Sequence, residues 1–485
     1  MDKQASAGQE LPEALARLLP AYMARQRWYA GGGVPPTSLH CLASGQLVPP
    51  AGGGEGAGYR VLWALVEAGG DHYQLFIGER PTAELAEHIS KADDAVVGSA
   101  GDRTFYDATV DPEMAVEILG ALTGGAQTAK HARLVGAEQS NTSVVYDDRL
   151  ILKFFRRVPP GPNLDAEVTT ALAAAGFAHV AQPLVRWQRD GRDLAFGQQY
   201  LAGGTDGWAL ALTSLRDFYA TSPEAGAADP ALSGGDFAAE ATRLGQVTAE
   251  MHIALAQSFG ADHQYLAGAW PGWLDQLWSR VELLHPSLVE GAGPLFEALR
   301  SVEHPGPAIR AHGDYHLGQV MRTDAGWYVL DFEGEPGRPV EQRLQPTSAL
   351  KDVAGMLRSF QYAAWSALGE HSHEQAGWLE PLALAWEQRN RQAFLRGYRG
   401  HPGTAALLPT GRRDFEAVRL AFELDKALYE LSYEEAHRKA WVGLPLAALH
   451  RLLSSPVEQL LAEVPEDAGA VDDGEPASPL GPGRP

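Results

Sequence analysis

The sequence predicts an α+β protein built as two lobes, and three observations carry that expectation. Up to about residue 203, short apolar or alternating runs are separated by turn residues, the pattern of antiparallel sheet. From about residue 205 onward, apolar residues recur at helical spacing. A chain of 485 residues also exceeds what one ordinary core encloses, so several subdomains are expected.

Taken in order, residues 12–28, "PEALARLLPAYMARQRW", place their apolar groups on one helical face, and "GGGVPP" ends the helix. "YRVLWALVEAG" and "HYQLFIGE" then flank "GGD", a hairpin pattern, which makes residues 1–105 a small α+β unit. Residues 132–158, "ARLVGAEQSNTSVVYDDRLILKFFRRV", predict a second hairpin around "DDR" that carries Lys153. "LDAEVTTALAAAG" predicts a helix with Asp165 and Glu167 in its opening turn, where the helix dipole favours acids. "DLAFGQQYLAGG" is a further strand, so 106–203 reads as a β-rich unit. Helices fill 204–463, among them "FAAEATRLGQVTAEMHIALAQSF" and the run from Asp414 to Lys439. Residues 220–236 read as a flexible connector and 464–485, rich in Pro, Gly and acids, as a disordered tail.

Composition narrows the function. Hydrophobic content of 45% and charged content of 21% are those of a globular chain. A net charge of −22 repels nucleic acid and acidic membrane surfaces, so any phosphate must be held locally by a few basic groups or a metal ion. The single cysteine, Cys41, forms no intramolecular disulfide, fits a reducing compartment and reads as inert. The N-terminus has no apolar signal core and no later run has bilayer-spanning length, so a soluble cytoplasmic protein is expected.

Two chemistries compete for "HGDYHLGQV", residues 312–320. His312 and His316 have the spacing of zinc ligands on one helix, but no glutamate follows the first histidine and the glycine-rich flanks oppose a continuous helix. Phosphoryl transfer fits better. Kinase catalytic loops run H-R-D-x-x-x-x-N, with Asp taking the substrate proton and Asn holding a metal, and His312, Asp314 and Gln319 keep that spacing. Downstream, "WYVLDFE" predicts a strand that delivers Asp331 and Glu333 to one side.

A triphosphate in so acidic a chain needs Mg²⁺ and a lysine. Lys153, between Leu152 and Phe154, is either that lysine, with Glu167 as its expected ion-pair partner, or a solvent-facing lysine on a two-sided strand. Before it, Ser140, Asn141, Thr142 and Ser143 sit where protein kinases place a glycine-rich loop; they are either phosphate donors or plain turn residues. On the helix near 420–437, Lys426, Glu430, Tyr433 and His437 share a side, which is either a solvated face or the wall of a sugar site with Trp441 as a stacking platform.

Together, "EQSNTSVVYDDRLILKFFRR", "GPNLDAEV", "HGDYHLGQV", "DFEGEP", "DVAGMLRSFQYAA" and "LDKALYELSYEEAHRKAW" resemble the actinobacterial maltokinases, members of the aminoglycoside phosphotransferase-like kinases. The similarity runs from about Gln26 to about Leu453. It implies a eukaryotic-protein-kinase-like fold with an N-terminal cap, a β-rich intermediate subdomain and a helical C-lobe. It also implies ATP and Mg²⁺ as cofactors, and conversion of maltose to maltose 1-phosphate for glycogen-like α-glucan synthesis beside trehalose metabolism.

Carried over by position, the resemblance makes Asp314 the catalytic base, Gln319 and Asp331 the magnesium ligands, and Lys153 the phosphate contact. Gln199, Tyr200 and Leu201 become the adenine hinge, and Glu430, Tyr433, Arg438 and Trp441 the sugar contacts. His312 enters as a further substrate candidate or, with His316, as a brace of the loop through hydrogen bonds. One departure is visible: the chain reads "HRKAW" where the family pattern is closer to "NRPDW". A kinase of glucosamine, an aminoglycoside or another hydroxylated amine, and a non-catalytic nucleotide-binding regulator, remain as alternatives. A monomer is expected, with association to a trehalose synthase implied by the resemblance.

Overall fold

The computed structural model describes residues 11–48, 58–85, 93–136, 141–221, 230–232, 235–284, 286–335, 337–371 and 373–461. The tail expected from residue 464, most of the connector expected at 220–236, and Ser140 lie outside them. The chain divides into two compact units, Met1–Gly268 with Gly306–Leu408, and Ala269–Pro305 with Pro409–Pro485.

In the first unit, β1 (His40–Val48), β2 (Arg60–Ala68), β3 (Asp71–Pro81), β4 (Val96–Ala100) and β5 (Arg103–Asp107) form an antiparallel sheet in the order β1-β2-β3-β5-β4. The β2–β3 connection is the two-residue turn Gly69–Gly70, with φ of 61° and 86°. Both angles belong to the left-handed region that tight hairpins require and that glycine enters without steric cost. Alternation sorts the residues of β2. Ala64, Val66 and Ala68 pack with Leu15, Leu19, Tyr22 and Met23 of helix α1 (Glu13–Ala24), while Val61, Trp63 and Leu65 enter the core shared with a second sheet. The boundary expected at residue 105 falls inside β5, which ends at Asp107 before helix α2 (Pro112–Thr123).

The second sheet has the order β6-β7-β8-β10-β9, from β6 (Ala132–Leu134), β7 (Asn141–Tyr146), β8 (Leu150–Phe155), β9 (Pro183–Arg189) and β10 (Arg192–Gln199). Phe76 and Phe154 meet edge to face at 4.8 Å between the sheets, and burying side chains of this size stabilises by about 1.5–3 kcal/mol each. The backbone joins the sheets as well: Gln74 N donates to Arg156 O and Val158 N to His72 O, each at 2.8 Å. Helix α3 (Leu164–Ala174) lies between β8 and β9 in the chain, with Asn163 as its N-cap.

The remainder of this unit is mainly helical: α4 (Gly207–Thr221), α5 (Ala238–Phe259), α8 (Leu350–Gly369) and α9 (His373–Gly400). Two short sheets thread it, β11 (Thr205–Asp206) with β14 (Val320–Thr323) and β15 (Gly326–Val329), and β12 (Ala261–Asp262) with β13 (Ala308–Ile309) and β16 (Thr347–Ser348). Helices α5 and α9 touch backbone to backbone: a Cβ on Gly245 would stand 2.2 Å from Phe394 O, and one on Gly397 would stand 2.0 Å from Thr242 O. In the second unit, which takes α6 (Tyr265–Leu284) from Ala269 on, Trp270 and Trp273 meet Phe422 of α10 (Arg412–His437), and Trp270 Nε1 donates to Leu299 O of α7 (Val289–Arg300) at 3.1 Å. Helix α11 (Gly443–Ser454) packs on α10 and α7, and Arg280 pairs with Asp425. Among the described residues no helix is long and apolar enough to cross a membrane.

Candidate active site

The loop 312–320 is fastened from beneath. Asp352, buried in the first turn of α8, accepts the N–H of His312 at 2.8 Å and of Gly313 at 2.9 Å. It also bonds His252 Nε2 at 3.1 Å, while Tyr398 OH meets His252 Nδ1 at 2.9 Å. Burial alone would raise the Asp352 carboxyl, but the hydrogen bond and charge of His252, with His312 and the Gly313 N–H, outweigh it and hold the group below the usual carboxylate range. Gly313, at φ 89°, takes a conformation that side-chain-bearing residues rarely adopt.

The two histidines are spoken for. The Asp314 N–H points at His312 Nδ1 at 3.4 Å, so that nitrogen carries the lone pair and Nε2–H donates to Leu330 O at 3.0 Å. With 2% exposure and both ring nitrogens engaged, His312 braces the loop and offers no face to a substrate, which corrects its candidacy as a substrate contact. His316 Nδ1 likewise accepts from Gly318 N at 3.0 Å, turning Nε2 toward Asp314 Oδ2 at 3.8 Å. Neither ring is arranged for zinc.

The β14–β15 hairpin begins after Gln319 and ends before Asp331, so its pairing closes the two together: Leu330 N donates to Gln319 O at 2.9 Å and Gln319 Nε2 to Asp331 Oδ2 at 3.2 Å. Asp331 sits at φ 62°, an uncommon left-handed backbone for a residue other than glycine. Two residues on, Glu333 accepts from Asn163 Nδ2 at 3.2 Å. Burial first, then the charge of Asp331, push the Glu333 carboxyl above its usual range, with Asp165 adding to the rise and Asn163 and Lys153 opposing it. Clustered carboxylate oxygens and an amide oxygen suit a hard cation. No group of three or more His, Cys, Asp or Glu fit for a metal exists among the described residues, but Mg²⁺ needs only one or two protein carboxylates when phosphates and water complete its shell. Gln319 and Asp331 therefore fit magnesium.

On the nucleotide side, Lys153 projects from β8 between the fully buried Leu152 and Phe154, and its Nζ lies 3.5 Å from Asp165 Oδ2. The expected partner, Glu167, instead pairs with Arg310 at 3.0 Å. Both acids occupy the first turn of α3, yet two positions along a helix differ by about 200° in direction, and the helix turns Asp165 rather than Glu167 toward β8. The stretch expected as a turn over 140–143 is strand from Asn141 on, with Ser143 directly opposite Lys153 and buried. Thr142 Oγ1 accepts from Arg156 Nε at 2.8 Å, which leaves Asn141 as the more open polar side chain of this stretch. At the hinge, Gln199 N and Tyr200 N donate at 2.8 Å to Gln182 O and Arg149 O, whereas Leu201 N has no acceptor among the described residues.

In the second unit, Tyr433 and Trp441 flank Arg438, whose guanidinium carbon lies 5.4 Å and 5.3 Å from their ring centroids. Arg438 also donates to Glu434 at 2.7 Å, His437 stacks on Tyr433 at 4.5 Å, and Glu430 lies half-buried on the same helix. Sequence reading left out Asp352, His252, Asp165 and Asn163. A carboxylate in the opening turn of an otherwise apolar helix was the available signal for Asp352.

A catalytic loop braced from below, a hairpin that joins Gln319 to Asp331, and a strand lysine paired to a helix acid define a kinase. Comparison with known proteins agrees. Residues 22–111 match the maltokinase N-terminal cap domain. A glucosamine kinase of Mycolicibacterium smegmatis is 31% identical over 68% of this chain and 82% of its own length, and one of Streptacidiphilus jiangxiensis is 27% identical over 77% and 82%. A solved glucosamine kinase in complex with glucosamine, ADP and inorganic phosphate shares the fold, with a TM-score of 0.58 at 22% identity over 90% of this chain and 99% of the other. The chain belongs to the family of these glucosamine kinases, and its residues 22–111 carry a maltokinase-type N-terminal cap. Kinases of this kind act on small molecules with ATP and Mg²⁺.

Proposed function

We propose that the protein transfers the γ-phosphoryl group of ATP to a hydroxyl of a small sugar, with Asp314 as the base. The observation that carries this reading is the convergence of Asp314, Gln319 and Asp331 on one loop and hairpin, with Lys153 tied through Asp165 to the segment that follows Asp331. Asp314 accepts the proton of the attacking hydroxyl, its backbone fixed by the Asp352–His252 brace. Gln319 and Asp331 hold the cation, Lys153 neutralises phosphate oxygens, and Leu201 N–H is the hinge donor for adenine. Bound Mg²⁺ and ATP supply the phosphoryl group and the charge neutralisation, while the chain contributes positioning, where most of the rate enhancement in phosphoryl transfer lies.

Glucosamine is the acceptor this reading favours. The two relatives named above are glucosamine kinases, "HRKAW" departs from the maltokinase pattern, and the half-buried acid Glu430, on the helix that carries Tyr433, suits an ammonium on a sugar ring. Maltose, phosphorylated at its anomeric hydroxyl, is the second reading, supported by the cap domain and the C-terminal motif. An ADP-release assay over glucosamine, maltose, glucose, trehalose and an aminoglycoside, with the product phosphate located by NMR, decides between them. Turnover of none of these sugars would overturn both.

A further inference from the structure

The first turn of α3 reaches three separate parts of the site. Asn163, the N-cap, donates to Glu333 at 3.2 Å. Asp165 lies 3.5 Å from Lys153 and accepts the Phe332 N–H at 3.1 Å and the Thr169 hydroxyl at 3.2 Å. Glu167 pairs at 3.0 Å with Arg310, four positions before Asp314, and that guanidinium lies 5.0 Å from the Phe259 ring centroid. One helical turn thus contacts the lysine strand, the segment after Asp331 and the residues between β13 and the loop 312–320.

We propose that the Glu167–Arg310 pair is a latch that sets the position of α3, and that Arg310 is a positioning residue for nucleotide binding, acting through Asp165 on Lys153. The inference rests on the reading of Lys153 as the phosphate contact. Three physical features support the latch. Arg310 is only 15% exposed in its side chain, so the pair is partly shielded from solvent screening. Its guanidinium is held from one side by the Phe259 ring, which fixes the direction in which its donors point. Asp165 bonds a backbone N–H and a lysine at once, so a small swing of α3 breaks both contacts together. Without the latch, Lys153 keeps its strand but loses the carboxylate that aims it.

The test compares Glu167→Gln, Arg310→Gln and the exchange E167R/R310E with the parent chain. Calorimetric affinity for Mg²⁺–ATP, KM for ATP, kcat and Tm are measured for each. Each single change is expected to weaken Mg²⁺–ATP binding on the order of tenfold with KM for the sugar unchanged, and the exchange to recover affinity to within about threefold. A merely structural pair would lower Tm and the active fraction while leaving ATP affinity in place, and that outcome overturns the proposal. So does an exchange that binds no better than the single variants. Glu167→Asp, which keeps the charge on a shorter stem, replaces Glu167→Gln should the latter fail to fold. Lys153→Met separates the two levels: unchanged ATP affinity there refutes the nucleotide-site reading, whereas a loss in Lys153→Met without a loss in the latch variants refutes the latch alone.

Discussion

Gln319 donates to Asp331 at 3.2 Å, and the β14–β15 hairpin between them, closed by the Leu330 N–Gln319 O bond, brings the two residues together. On the proposed reading of this pair as a cation site, such preassembly would cost little ordering on binding. Asp331→Asn is expected to raise the Mg²⁺ concentration needed for half-maximal rate by at least tenfold and to lower kcat by about 100-fold or more, whereas Gln319→Asn, one carbon shorter, is expected to lose roughly tenfold. A magnesium titration of initial rates reads both.

Asp314 is expected to be indispensable to turnover and dispensable to nucleotide binding. Asp314→Asn keeps the shape of the side chain and removes the base, so kcat is expected to fall by about 10²–10⁴-fold. Calorimetric affinity for Mg²⁺–ATP is expected to stay within about threefold of the parent. Parent-like kcat would dismiss the assignment.

The Asp352 brace predicts an acid dependence with a definite sign. Because the folded group is held below its unfolded value of about 4, its stabilisation is complete above that pH and is lost as pH falls through the folded value. Asp352→Asn replaces a buried carboxylate that bonds His252 Nε2 and two backbone N–H groups and is expected to cost on the order of 3 kcal/mol at pH 7. The gap between parent and variant in urea unfolding is expected to narrow below about pH 4. A gap that widens there would contradict the brace.

The acceptor side separates the two sugars. Glu430→Gln is expected to raise KM for glucosamine by roughly tenfold while changing KM for maltose by less than about threefold, since only the amine carries a charge to be matched. Trp441→Ala is expected to raise KM for either sugar. Equal responses of both acceptors to Glu430→Gln would remove the carboxylate from the amine site.

Much of the fold and of the loop was legible in the sequence because local rules govern them. Gly69–Gly70 announced a tight hairpin, and the spacing from His312 to Asp331 fixed which residues the β14–β15 hairpin would bring together. Pairings across the chain left no such mark. Spacing cannot say whether Asp165 or Glu167 faces Lys153, because both stand in one turn and the orientation of α3 is set by contacts with β8 and with the residues around Arg310. A run of small polar residues offers Ser143 either as a phosphate donor or as a plain turn residue, yet its register opposite Lys153 extends the strand and buries it. Strands of two residues, such as β11 and β13, carry no periodicity at all and arise only where tertiary packing lays segments side by side.

The glycine contact between α5 and α9 reaches further than packing. Thr248 and His252 stand on α5 and Tyr398 on α9, so the same helix pair that meets at Gly245 and Gly397 also holds Tyr315 of the loop 312–320 and Asp352 beneath it. An alanine at either glycine would add one methyl group far from the chemistry and pry the helices apart, because the atoms it meets are backbone and have nowhere to yield. A substitution at either glycine is therefore expected to lower turnover as well as stability, and a search for heat-sensitive alleles would be expected to recover both positions.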